Sequence, residues 1–405
     1  MARNIALYPW FKVFQNLVFW QGVWFLYIQG KLGPAEAILM YVIYDLATTG
    51  LEVPSGYMSD RLGRRLTLLL SALALTAGAL IQAWGQTFAV FAAGQILVGA
   101  SMAFASGTDS ALLYESLAGE NREDEIETQE ILAWRYSFVA LAASAVAGGL
   151  LFYVEPSLTY IATALSGIAL LGIVGAFQEP ETASKNSASK GEVLATLQDC
   201  FRQPVLLWIL GLTVAMYTYS HIPFVFGQPF IQEALADLGF SAEAPVVSGV
   251  VSAIMMGVSV LASLFAPALR QRIGLAAMLL LAFGLQLALV AALSLSNAAP
   301  IIALLFLRMV PSALSTPFLL ARVQPILADA SRATYLSLQS FAGRIVFAAT
   351  LSLSAASAST TGQMPYPEIQ AILTWYALAG LLVLSALAFT AHRAGVNRPL
   401  PETST

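Results

Sequence analysis

The sequence predicts an all-α membrane protein of twelve transmembrane helices, arranged as two pseudo-symmetric six-helix bundles. Three observations carry this: an apolar composition, bilayer-length apolar runs along the whole chain, and a weak internal copy of the first half in the second. Of 405 residues, 58% are hydrophobic and 10% charged, whereas about a quarter of a soluble domain is charged. Runs such as "LTLLLSALALTAGALIQAWG" and "AAMLLLAFGLQLALVAALSL" reach the roughly 20 residues a helix needs to cross the hydrocarbon. The alternation of a membrane β-barrel is absent.

In order, the spans fall at 11–30, 36–57, 66–85, 88–114, 128–153, 158–177, 204–228, 246–268, 275–296, 299–320, 334–356 and 369–391, with loops where polar residues cluster. Span one is aromatic and lacks a small-residue cleavage site, so it is read as a retained helix, not a signal peptide. Span two carries Asp45 and runs into "EVPSGYMSDRLGRR", and span four ends in "DSALLYESL". Spans five, ten and eleven contain Arg135, Arg308 and Arg344. Span seven, "MYTYSHIPFVFGQPF", contains Pro223, Gly227 and Pro229, which predict an interrupted helix bordering a cavity or gate.

Of the 19 Lys and Arg, Lys31 falls on the side reached after an odd number of crossings, Arg135, Arg308 and Arg344 lie deep within spans, and the other fifteen, with Lys12 at the edge of span one counted as tail, lie in tails and even-numbered loops. The positive-inside rule then predicts that both termini are cytoplasmic. The lone Cys200 excludes an internal disulfide and a multi-cysteine metal site. Three units follow: a bundle over 1–178, a cytoplasmic linker over 179–203 and a second bundle over 204–405. In the linker, Val193, Leu194, Leu197 and Phe201 recur at helical spacing. That predicts a short amphipathic helix on the inner surface, with a disordered connector as the alternative.

The halves align weakly. "DRLGRRLTLLL" matches "QRIGLAAMLLL" with Gly63 opposite Gly274; Gln95 falls opposite Arg308, and Arg135 opposite Arg344, at offsets of 209 to 213 residues. Such duplication in transporters places the substrate between the halves.

The stretch Gly56-Tyr-Met-Ser-Asp60-Arg61-Leu-Gly63-Arg64-Arg65 resembles the G-x-x-x-D-R-x-G-R-R signature between spans two and three of the major facilitator superfamily. The resemblance covers the whole chain in helix number, orientation, linker and half-copy, and says little about substrate. The preceding "EVPSG" resembles a Glu-Pro-Ser/Thr-Gly variant of many bacterial members. Two family signatures are degraded: Gln95 stands where proton-coupled members often carry Arg, and "SAVAGG", Ser144 to Gly149, replaces the Gly-Pro-x-x-Gly-Gly of drug antiporters.

The resemblance implies that Asp60 faces the start of span eleven and caps its backbone amides, while Arg64 pairs with an acid ending span four. Glu115 is the better placed partner and Asp109, nearly two turns deeper, the alternative. With Glu52, Gly56, Arg61, Gly63 and Arg65 these residues would form a cytoplasmic gate; simple positive-inside anchoring explains Arg61 and Arg65 equally well.

A charge in hydrocarbon is costly, so each intramembrane one is a functional candidate. Asp45 is the candidate proton carrier, with a permanently paired structural acid as the alternative. Arg308 is a candidate for substrate holding or proton coupling, Arg344 can join its network, and Arg135 can snorkel to the inner surface. Gln15, Trp20, Tyr44, Tyr217, His221, Gln228 and Arg308 are candidate cavity residues. A lone histidine is equally a packing residue, and bulky aromatics equally contact lipid.

The function expected is a secondary active transporter working by alternating access, proton-coupled and exporting small amphipathic organic compounds. Uptake by proton symport is the alternative. From other classes, a membrane enzyme or a non-transporting receptor remains; the chain has no H-E-x-x-H, G-x-S-x-G or nucleotide-binding G-x-x-x-x-G-K-S/T motif. Expected partners are a small-molecule substrate, protons and the lipid bilayer, with a monomer as the working form. No cofactor, catalytic residue, metal site or nucleic acid is expected.

Overall fold

The computed structural model describes residues 1–180, 203–323, 326–327 and 329–397, the side chains of 329–334 excepted. The linker helix expected at Val193 to Phe201, and Cys200, lie outside the described residues.

The fold is helical throughout the described residues. In chain order the α-helices are α1 Ala2–Asn16, α2 Trp24–Leu32, α3 Pro34–Leu62, α4 Arg64–Ala83, α5 Phe88–Ala105, α6 Thr108–Ala118, α7 Ile126–Val154 and α8 Leu158–Ala176. They continue as α9 Pro204–Ala236, α10 Ala244–Ile273, α11 Leu275–Leu295, α12 Val310–Val323, α13 Asp329–Ala356 and α14 Tyr366–Ala391. Ten helical stretches among the described residues are long and apolar enough to cross a membrane. The other two spans are α3, whose 29 residues rise through roughly 43 Å, and the pair α1 and α2.

Four local expectations are corrected. Span one is not continuous: α1 starts at Ala2, and residues 17–23 separate it from α2. Span four breaks at Gly107, whose φ is +73°, so α5 and α6 are separate helices. The tenth span opens as a 3-10 helix, Ala299–Leu307, before α12. Span seven, expected to be interrupted, is one continuous helix of 33 residues with Pro223 and Pro229 inside it. A proline removes one donor and bends a helix, and in membrane spans neighbouring groups re-satisfy the freed carbonyl.

The charged stretch after span two is not a loop. Helix α3 runs to Leu62, Gly63 alone reverses the chain at φ +100° and ψ 157°, and α4 starts at Arg64. Only glycine tolerates that region. The Glu179 carboxylate accepts the N–H groups of Arg64 at 2.5 Å and Arg65 at 2.9 Å, meeting two of the four unbonded amides of a helix start and the positive end of its dipole. The second half repeats the device. Gly274, at φ +80°, separates α10 from α11, and Asn397 Oδ1 accepts the Ala276 N–H at 2.8 Å. In both halves, a side chain following the sixth span caps the start of the third span.

The chain forms two compact units. One comprises Met1–Ser184 with Ile231–Ala253 and Leu351–Met364; the other comprises Lys185–Phe230, Ile254–Thr350 and Pro365–Thr405. In the first, α4 lies against α5 and α8, α3 against α5, and α1 against α7 and α8. In the second, α11 lies likewise against α12 and α14, as the half-copy requires. Lipid offers apolar side chains no net gain from clustering, so such helices associate by close packing of small residues. Accordingly, a Cβ on Gly78 would fall 3.0 Å from the Gly94 carbonyl oxygen between α4 and α5. The first unit also has an apolar core of Ile5, Tyr8, Phe11, Leu68, Leu112, Leu117, Leu170 and Val174.

Two glycines of the charged stretch give opposite expectations. A Cβ on Gly63 would lie 2.7 Å from the Glu179 carboxyl carbon, whereas one on helical Gly56 would meet nothing within 4 Å. Gly63→Ala is expected to destabilise the protein by about 1–3 kcal/mol, and Gly56→Ala to stabilise it by up to about 1 kcal/mol. Melting of the detergent-solubilised variants checks this; equal melting temperatures would remove the turn argument.

Candidate functional site

The first unit holds two charge clusters. Arg64 at the start of α4 reaches back one turn to Asp60 at 2.7 Å and Ser59 at 2.7 Å, and across to Glu115 on α6 at 2.9 Å. Asp60 is 70% exposed and Glu115 17%, so the bond to Glu115 is the less screened. Arg65 donates to the Gly175 carbonyl at 2.7 Å, near the negative end of α8. Arg61 is exposed and stacks over Tyr57 at 5.3 Å. Glu52 sits two turns before Ser59 on α3, and the Arg64 guanidinium is directed to Ser59, Asp60 and Glu115. Gly56 is exposed.

Asp109 does not join this cluster. The kink at Gly107 turns its carboxylate to Lys12 of α1, with which it forms an ion pair whose side chains are 16% and 11% exposed. The second Asp109 oxygen accepts the Ser110 N–H at 2.8 Å. Lys12 also lies 5.6 Å from the Tyr8 ring centre and 5.9 Å from that of Phe11. Sequence reasoning counted Lys12 with the tails. The signal available was a lysine inside an apolar run opposite an acid in another.

At the other ends of these helices, segments of the second half complete the first unit. Ser248 of α10 donates to the Gly22 carbonyl at 2.6 Å, and Gln29 of α2 donates to Gln232 at 2.7 Å while accepting the Met364 N–H at 3.1 Å. The backbones nearly touch. A Cβ on Gly149 of α7 would lie 2.9 Å from Val246 Cα, and Gly148 leaves as little room against the Phe19 carbonyl. These two glycines close the "SAVAGG" stretch, so the part of the antiporter signature that survives is the part with no space for a side chain.

The remaining candidates of the first unit lie near the break in span one. Gln15 and Trp20 are half-buried, and Trp20 stacks on Tyr160 at 6.0 Å and 10°. Trp24, Tyr41 and Tyr44 form a row with centres 5.4 and 5.5 Å apart. Asp45, next along α3, is 1% exposed. Gln95, buried, donates to Gln82 at 2.9 Å. Arg135 is exposed on α7.

The second unit collects Tyr217, His221, Arg308 and Arg344. Tyr217, His221, Phe224 and buried Gln228 follow one another at helical spacing along α9. The rings of Tyr217 and His221 are 4.2 Å apart, and Phe347 of α13 lies 5.3 Å from His221. Arg308 sits over Phe224 at 5.1 Å with its Nε 3.0 Å from Met255 Sδ, and Arg344 sits over Tyr217 at 5.7 Å. His221 Nδ1 lies 2.7 Å from the Tyr217 carbonyl oxygen. Gly343 lets α13 approach, since a Cβ there would lie 3.0 Å from the Tyr217 side chain. Among the described residues no group of His, Cys, Asp and Glu is placed to hold a metal.

Ten helices among the described residues that are long and apolar enough to cross a membrane, with a glycine turn repeated at Gly63 and Gly274, mark an integral membrane protein. The chain belongs to the Major Facilitator Superfamily, whose family model matches residues 13–351. No curated protein matches it in sequence. Among solved structures it is similar to the nucleoside transporter NupG, at 14% identity and a TM-score of 0.75, covering 96% of this chain and 99% of that one. It is similar also to the POT family transporter PepTSo, at 10% identity and a TM-score of 0.76, covering 97% and 98%. The peptide transporter POT in complex with sulfate matches at 12% identity and a TM-score of 0.73, covering 97% and 95%. These likenesses concern the fold. The family points to transport, not catalysis.

Two sets of substitutions test the charge clusters. In double-mutant cycles read by melting in detergent, the coupling of Arg64 with Glu115 is expected at about 1–3 kcal/mol and that with Asp60 below about 1 kcal/mol. Lys12→Met alone should cost about 3–5 kcal/mol by stranding Asp109, and adding Asp109→Leu should recover most of it. Full additivity would show that the pair is not coupled.

Proposed function

We propose that this transporter is proton-coupled and exports small amphipathic organic compounds by alternating access, with the two six-helix halves as its moving parts. It works as a monomer in a bacterial cytoplasmic membrane, with the basic ends of its helices and both termini of this chain on the cytoplasmic side. The Glu52 to Arg65 stretch and Glu115 serve as the cytoplasmic gate, and the "EVPSG" variant supports a reading of the chain as a member of the bacterial branch that carries it.

The observation that supports proton coupling most directly is Asp45, a carboxylate 1% exposed about ten residues into a spanning helix. An ionised carboxylate is costly at that depth, so its charge state is coupled to its surroundings. A cycle that exposes Asp45 alternately to the two sides would load and release one proton per turn. In the second unit Arg308 and Arg344 offer a polar hold, with Tyr217, His221 and Gln228 as ring faces and an amide; in the first unit Gln15, Trp20 and Tyr44 are the candidate contacts.

Transport into inside-out vesicles with an acidic lumen tests the reading. Accumulation driven by the gradient is expected for export, and gradient-driven efflux would instead establish uptake by symport. Asp45→Asn should abolish gradient-driven accumulation while retaining exchange of labelled for unlabelled substrate. Undiminished accumulation in that variant would remove Asp45 as the carrier.

A further inference from the structure

We infer that the arginine-bearing rim of the second unit, at the ends of α10, α12 and α14, is a docking surface for the headgroups of anionic phospholipids. The partner is the membrane itself, and the inference does not rest on the transport reading.

Charge is divided unevenly between the two units. The segments of the first contain 8 Lys and Arg against 18 Asp and Glu, and those of the second 11 against 5. The first is therefore net negative and the second net positive. Spans eight, ten and twelve run in the same direction, so α10, α12 and α14 end at one rim of the second unit. There Arg270 of α10 lies over Phe318 of α12 at 5.1 Å, and Arg322 at the end of α12 donates to the Gly395 carbonyl at 3.3 Å. Arg393 lies over Phe389 at 4.9 Å, and Asn397 beyond it caps α11 just after Arg272 and Gly274. These contacts tie the ends of the helices together, with an arginine at each.

Arg270, Arg272 and Arg393 are exposed and Arg322 is half-buried. Among the described residues none of the four is paired with a carboxylate, whereas in the first unit Arg64 meets Asp60 and Glu115, and Arg122 meets Glu125 at 2.6 Å. The Arg322 Nε is buried without an acceptor, and the like charge of Arg270 bears on the same guanidinium. An anion at the rim offsets that repulsion. A phosphodiester suits it, because a guanidinium can give phosphate oxygens two parallel hydrogen bonds.

The flanking side chains select lipid as the source of the phosphate. Ile273, Leu320 and Phe389 are exposed apolar neighbours of these arginines, and an acyl chain covers them where a soluble phosphate leaves them bare. Net charge then selects among lipids. A zwitterionic headgroup brings its own cation to a surface that is already positive, whereas an anionic one adds attraction for each arginine it nears. Placement of basic residues by sidedness alone would give no such ranking.

The test is native mass spectrometry of the full chain in neutral detergent with equal amounts of dioleoylphosphatidylglycerol and dioleoylphosphatidylcholine. The anionic lipid is expected to bind at least roughly tenfold tighter. Arg270→Gln, Arg272→Gln, Arg322→Gln and Arg393→Gln should each lower that preference by up to roughly fivefold, and the quadruple variant should lose it. Arg3→Gln combined with Arg122→Gln, in the first unit, should leave it unchanged. In vesicles of the same two lipids, a photoactivatable phosphatidylglycerol should label peptides at the ends of α10, α12 and α14. That localisation is read on the unsubstituted protein and stands even if the variants fail to fold. Equal binding of the two lipids, labelling confined to the first unit, or a preference retained by the quadruple variant would overturn the inference. Competition by glycerol 1-phosphate as strong as that of the whole lipid would overturn lipid as the occupant and leave a soluble phosphate in its place.

Discussion

The structure depends on one constraint: within hydrocarbon no water is available, so each backbone N–H and C=O must find its partner inside the protein. Continuous helices meet the constraint by themselves, and the break in span one shows what an exception requires. Over residues 17–23, the Phe19 N–H donates to the Thr163 hydroxyl at 3.0 Å and the Gly22 carbonyl accepts from Ser248. Just before the break, the Phe14 carbonyl accepts from Ser166 at 2.7 Å. Hydroxyls from α8 and α10 thus stand where helical bonds would have been. The same bonds that permit the break also hold the Ser248 segment of α10 within the first unit.

Charge follows the same logic at higher stakes. Lys12 and Asp109 are tolerated inside the first unit because they meet each other, on helices nearly a hundred residues apart in sequence. Arg64, at the membrane edge, can share its guanidinium among Ser59, Asp60 and Glu115. In the second unit the guanidiniums of Arg308 and Arg344 rest on the rings of Phe224 and Tyr217, whose faces attract a cation.

Much of this was legible in the sequence. Apolar runs located the spans because helix length is fixed by membrane thickness, and the offset of the half-copy matched Gly63 to Gly274, both of which adopt positive φ. The stripe from Tyr217 to Gln228 was visible as a set of polar groups, although the prolines suggested a break. A proline's cost in a membrane helix is decided by its neighbours, which a single sequence does not display. Lys12 was misplaced for a related reason: a lysine near the start of an apolar run looks like an anchor until its partner is found by folding. Glu179 was read as the first residue of a linker, whereas it caps α4; nothing local to "QEPET" encodes a helix start more than a hundred residues earlier. Gly148 and Gly149 read as remnants of a signature, and only the packing explains why they survive.

The unbroken course of α9 has a consequence for elasticity. The helix passes from one compact unit to the other between Phe230 and Ile231, one residue after Pro229. A proline nitrogen carries no hydrogen, so the turn entering that passage is short of one rung of the helical ladder in every state. Flexing there has one hydrogen bond fewer to strain, since none joins Pro229 to the turn before it. The compliance of α9 at this point is set by a covalent ring, and neither proton, lipid nor cargo can switch it off.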